Sequence, residues 1–186
     1  ENRRLFSDSD CHHIAETMES EDMLRLSCSN KKGSQMIQEV IHLMKPSRIE
    51  QIGLLYLKSL PKIFWNEFSC HVLKVLLQKW RPLKQATEMY GKEHFASLVR
   101  CSAPARVFIS LSEQSERFRS WSLDYFRANF LELLEEPEAM TYLSKLIDLS
   151  KKESEFLFVI RSLQNNPAMI CMPLVRKILI KAVERC

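Results

Sequence analysis

Three features of the sequence predict an all-α fold. Apolar residues recur at helical spacing along nearly the whole chain, glycine occurs only three times, and one short segment returns every 32 to 36 residues. The 186 residues are 46% hydrophobic and 27% charged, the balance of a protein that buries a core, which excludes disorder and collagen. The length suits one domain, 1–186. Gly33, Gly53 and Gly91 lie too far apart to cradle a phosphate or form a dinucleotide fingerprint. So few glycines also disfavour a sheet of tight hairpins.

The elements run in order along the chain. Residues 1–13 read as a polar lead-in. Ile37, Val40, Ile41 and Met44 form the first stripe at i, i+3, i+4, i+7. Ile49, Ile52, Tyr56, Leu57 and Leu60 form the second, with Gly53 where a neighbour can approach closely. Leu73, Leu76, Leu77 and Trp80 form the third; Phe118, Trp121 and Tyr125 begin another. Phe156, Val159, Ile160 and Leu163 precede a last stripe of Leu174, Val175, Ile178, Leu179, Ala182 and Val183. Prolines 46, 61, 82, 104, 137 and 167 fall at the edges of stripes, where proline costs least. Pro173 lies inside its segment, so that helix either starts late, with Pro173 in its first turn, or is distorted.

Five segments align: Gly33–Ile41, Ser69–Leu77, Pro104–Ser112, Ala139–Ile147 and Cys171–Leu179. Their fifth column holds Ile37, Leu73, Phe108, Leu143 and Val175; their eighth holds Val40, Leu76, Leu111, Leu146 and Ile178. A period of this length describes one helical unit that buries its apolar face on its neighbours, which predicts an α-solenoid. The expected repeats lie near 14–49, 50–86, 87–122, 123–154 and 155–186.

The first two segments carry a family resemblance. Residues 33–38 read Gly-Ser-Gln-Met-Ile-Gln, and 69–74 read Ser-Cys-His-Val-Leu-Lys. This resembles the Pumilio (PUF) repeat, whose three-helix units build a curved right-handed superhelix. In that family one helix of each unit reads one base of single-stranded RNA, two side chains touching the base edge and the one between stacking on it. The resemblance implies Ser34 and Gln38 as edge readers with Gln35 stacking, then Cys70 and Lys74 with His71 stacking. The third segment keeps Arg106 as a stacker but has Ala105 and Ile109 at the edges. The fourth has Met140, Thr141 and Ser144, the fifth Met172, Pro173 and Arg176, neither with a planar stacker. The resemblance implies an mRNA untranslated region as the RNA partner, with translational repression or control of mRNA stability as the outcome.

Charge is uneven. Residues 1–24 carry a net −5, 25–106 a net +9, 107–156 a net −4 and 157–186 a net +4. The +9 stretch covers the segments that keep the reading residues, as neutralisation of an RNA backbone requires; solvated outer helix faces would give the same run. Apolar Ile109, Met140 and Met172 support an alternative, a degenerate scaffold that binds a protein partner.

No other class of chemistry stands out. The six cysteines form no close pair and no Asn-X-Ser/Thr acceptor occurs, so free thiols in the cytoplasm are expected. Cys11-His12-His13 has no further ligands at zinc spacing, so neither metal nor other cofactor is expected. Without a nucleophile grouping the chain reads as a binding protein, not an enzyme. The acidic run Glu132, Glu135, Glu136 and Glu138 reads as a solvated helix end, and Phe118, Trp121, Tyr125, Phe126 and Phe130 as core, their density also permitting a protein-binding surface. No apolar run is long enough to span a membrane. The opening Glu1-Asn2-Arg3-Arg4, without an initiator Met, reads as a piece of a longer protein.

Overall fold

A computed structural model describes residues 7–185, and these are all-α. The helices are α1 (Asp8–Thr17), α2 (Ser20–Ser29), α3 (Lys31–Leu43), α4 (Pro46–Lys58), α5 (Leu60–Trp65), α6 (Ser69–Lys79), α7 (Arg81–Glu93), α8 (Phe95–Leu98), α9 (Ser102–Gln114), α10 (Glu116–Leu133), α11 (Pro137–Leu149), α12 (Leu157–Gln164) and α13 (Pro173–Glu184). Short 3-10 turns at Glu153–Glu155 and Pro167–Cys171 flank α12. Most of the lead-in read at 1–13 lies outside the described residues or in α1, which opens with a capping box between Ser7 and Asp10 and buries Cys11.

Four of the aligned segments lie wholly in α-helices, α3, α6, α9 and α11, and the fifth runs from the 3-10 turn at Cys171 into α13. The ten residues of the fifth and eighth columns are each at most 3% exposed. Every proline lies within the first three residues of its helix or turn, where the missing N–H has no intrahelical partner to lose. Pro173 begins α13, so that helix starts late rather than bending.

Backbone geometry recurs every 35 residues through the middle of the chain. Lys45, Trp80, Ser115 and Ser150 are all extended, and each stands just past the C-terminal end of a helix. Between them Ser59, His94 and Asn129 share φ between −102° and −120° and ψ between 9° and 18°. Each of these three breaks a long helix from a short one. In α10 the break is a kink, patched where Asn129 Nδ2 donates to the Tyr125 carbonyl at 2.8 Å. The resulting unit is long, short, long.

The chain divides into two compact units, Glu1–Glu93 and His94–Cys186. In the first, α3 packs beside α6, α2 beside α4, and α4 beside α7. Gly53 on α4 lies under the Trp80 ring, and Gly33 on α3 lies against the Leu26 carbonyl of α2. Both are the close approaches that a Cβ forbids. Asn66 ties the first unit together: its Oδ1 accepts from the Phe68 and Ser69 amides at the start of α6, and its Nδ2 donates to the Cys28 carbonyl of α2 at 3.1 Å.

In the second unit α9, α11 and α13 pack side by side in sequence, and α10 packs on α12. Buried Arg119 donates to the Ser112 carbonyl in the last turn of α9, where a cation meets the negative end of the helix dipole. Arg185 does the same to the Ser150 carbonyl past α11, and Arg48 of the first unit to the Met18 carbonyl past α1.

Each unit also buries a tyrosine hydroxyl. Tyr56 of α4 meets the Ser27 hydroxyl of α2 at 2.5 Å. Tyr142 of α11 meets Ser112 of α9 at 2.7 Å and donates to Ser122 of α10 at 2.9 Å. Burial pushes both phenols well above the ordinary value near 10, although the serine hydrogen bonds work the other way. Both therefore stay neutral in the folded chain after the unfolded chain has ionised, so folding stability falls as pH rises past about 10. A titration followed by tyrosinate absorbance should show Tyr56 and Tyr142 ionising only as the helices unfold. Tyr142→Phe strands the Ser112 and Ser122 hydroxyls and should cost about 1–3 kcal/mol in urea denaturation. Gly53→Ala should also destabilise, by about 1–3 kcal/mol, because the clash with Trp80 outweighs the gain in helix propensity.

Candidate nucleic-acid interface

The aligned helices impose one pattern on the five candidate reading triads. The first position of each triad points inward in α3, α6, α9 and α11: Ser34, Cys70, Ala105 and Met140 are all buried. The second position points outward. Gln35 and His71 are half-buried, and Arg106, Thr141 and Pro173 are exposed. The third, one turn on, is half-buried at Gln38, Lys74, Ile109 and Ser144 and exposed at Arg176. Met172 precedes α13 and is half-buried.

Two of the candidate residues are engaged within the fold. Ser34 is buried, and its Oγ donates to the Phe68 carbonyl at 2.8 Å, joining α3 to the start of α6. Cys70 is fully buried, with its Sγ donating to the Glu67 carbonyl at 3.1 Å. Both polar groups are committed to backbone, so neither is presented to a base edge in this conformation. The sequence could not show this, because a serine and a cysteine fit a crowded inward position as well as a polar surface.

The outward residues of the first unit lie on two helices that pack side by side. On α3 the accessible stripe is Gln35, Gln38, Glu39 and His42; on α6 it is His71, Lys74, Val75 and Gln78. The Gln38 amide folds back, donating to the Ser34 carbonyl at 3.1 Å and the Ser34 hydroxyl at 3.3 Å. One Glu39 carboxylate oxygen is buried without a hydrogen-bond partner. Lys31 and Lys32 at the start of α3 and Lys79 at the end of α6 are exposed. The surface therefore combines amides, two imidazoles and ammonium groups, with Glu39 as its acid.

In the second unit the equivalent face changes character. Ser144 of α11 is tied to α13, accepting from Lys181 Nζ at 2.9 Å, while Asp148 pairs with the same ammonium at 2.7 Å. These groups hold neighbouring helices together. The acidic run is not simply solvated: Arg100 pairs with Glu132 at 2.7 Å and with Glu136 at 3.4 Å. Of the aromatic set, Phe118, Phe126 and Phe130 are buried, whereas Trp121 and Tyr125 are half-buried. Burial, then the nearby Glu132 charge, raises the Tyr125 phenol, and Arg100 opposes the rise.

Among the described residues no three His, Cys, Asp or Glu side chains gather as a metal-binding group, and no helix is long and apolar enough to cross a membrane. No protein-family model matches the chain, and comparison with curated proteins finds no significant match.

The burial pattern predicts thiol reactivity. Exposed Cys171 should alkylate rapidly in the native protein, and Cys70 at least about a hundredfold more slowly, through opening of the fold. Mass spectrometry of timed alkylation reads both. Equal rates would put Cys70 at the surface, within reach of a base.

Proposed function

We propose that this chain is a non-enzymatic helical-repeat module that binds single-stranded RNA. Its helices are read as an α-solenoid of divergent PUF-like repeats. The observation that carries the reading is the outward face of α3 and α6, where Gln35 and Gln38 stand beside His71 and Lys74 on adjacent packed helices. The Gln35 amide offers a donor and an acceptor to base edges, the Gln38 side-chain oxygen a further acceptor, the His71 imidazole a stacking plane, and Lys74 with Lys31, Lys32 and Lys79 neutralises phosphates. Arg106 is exposed on α9 and adds a guanidinium plane. By the family resemblance the RNA is an mRNA untranslated region, and the role is cytoplasmic control of translation or mRNA stability.

A second reading, a protein-interaction scaffold, is favoured by a different surface. Leu54 on α4 and Met89 on α7 are 44% and 72% exposed, on helices that pack together in the first unit. Met140 lends this reading no support, because it is buried in the chain's own core.

Selection from a randomised pool of short single-stranded RNAs, at two salt concentrations, tests the proposal. An enriched motif is expected, with affinity reduced about tenfold or more in a Gln38→Ala, His71→Ala double variant, since each stacked base contributes about 1–3 kcal/mol. Salt-sensitive binding without a motif, unchanged in the variant, would reduce the activity to a basic surface. No binding at either salt would leave the scaffold.

A further inference from the structure

A groove of about 330 Å³ lies between α10 and α12 in the second unit, on residues that neither the family resemblance nor the RNA reading uses. Its apolar floor is the Phe158 ring, held edge-on by Phe130 at 5.7 Å between centroids. The Arg127 guanidinium lies over that ring, 5.7 Å from its centroid, with one nitrogen 2.8 Å from Asp124. Phe158, Arg161 and Ser162 of α12 and Asn165, which caps its C-terminus, fall at i, i+3, i+4 and i+7, so one face of that helix and its cap supply a second guanidinium, a hydroxyl and an amide. Ser154 of the preceding 3-10 turn adds another hydroxyl. Among the described residues no carboxylate lines the groove.

The lining chemistry specifies its ligand. Two guanidinium groups from different helices present planar donors suited to phosphate oxygens. Asp124 offsets one of those charges, so Arg161 supplies the net attraction. The volume exceeds what a bare phosphate needs and falls at the small end of organic-ligand sites. A flat ring fits against the Arg127 guanidinium, and hydroxyls with an amide suit a sugar and a base edge. We propose that the α10–α12 groove binds one nucleoside monophosphate unit, either as a free nucleotide or as the phosphate-bearing end of an RNA.

The test is titration of the isotopically labelled whole chain with AMP, followed by amide NMR. Shifts are expected at Arg161, Ser162 and Asn165, with adenosine and inorganic phosphate each binding at least about tenfold more weakly. Arg161→Glu should weaken AMP binding about tenfold or more without changing the thermal melt, because Arg161 is exposed. A short RNA with a 5′-phosphate, compared with its 5′-hydroxyl form, distinguishes the two sources: an Arg161-dependent preference assigns the groove to RNA ends, and AMP binding without that preference assigns it to free nucleotide. The Gln38→Ala, His71→Ala variant should bind AMP normally, which separates this site from the face on α3 and α6. Absence of shifts at about 10 mM AMP, equal binding by Arg161→Glu, or loss of AMP binding in the Gln38→Ala, His71→Ala variant would each overturn the assignment.

Discussion

Short amphipathic helices are unstable alone, and that constraint organises this chain. Its longer helices run 10 to 18 residues, near or below the length at which an isolated helix holds together in water. Each must bury its stripe on another helix. Ile37 and Val40 on α3, Leu73 and Leu76 on α6, and Leu143 and Leu146 on α11 are the residues that do this, and all are fully buried. The close approaches at Gly33 and Gly53, and the tyrosine hydroxyls shared with serines, are local solutions to the same requirement.

Polar groups settle the geometry that apolar burial leaves open. Hydrophobic contact is non-directional, so it fixes which faces meet but not the register at which they meet. Asn66, bridging α2 and the start of α6, and Tyr142, bridging α9, α10 and α11, have fixed donors and acceptors that are satisfied in one register only. Arg48, Arg119 and Arg185 add a cation at the end of a helix in each case. These contacts specify more than they stabilise.

The stripes were legible in the sequence because burial and helical period leave a direct trace in residue type. The late start of α13 was one of the two readings that Pro173 allowed, since that residue cannot sit deeper in a helix at low cost, and the sequence did not choose between them. The joints were not legible. Ser59, His94 and Asn129 adopt nearly one conformation, yet it lies in the sparsely populated bridge region, which no single residue type is required to fill. The candidate interface was half legible. The outward second positions, Gln35, His71 and Arg106, are set by their phase relative to the buried columns. Ser34 and Cys70 lie one residue nearer the core, and small polar residues tolerate either side of that boundary. The Arg127 and Phe158 contact joins residues on different helices and had no local signature.

The 35-residue recurrence has a kinetic consequence. Hydrogen bonds that join neighbouring helices span short stretches of chain: Asn66 to Cys28 spans 38 positions, Lys181 to Ser144 spans 37 and Arg185 to Ser150 spans 35. Loop-closure entropy grows only slowly with length, and these loops are short. Each helix therefore finds its partner among its immediate predecessors and need not await a distant segment. Topology of this kind places folding among the fast class, and during synthesis α1 to α6 can assemble while the second unit is still being made.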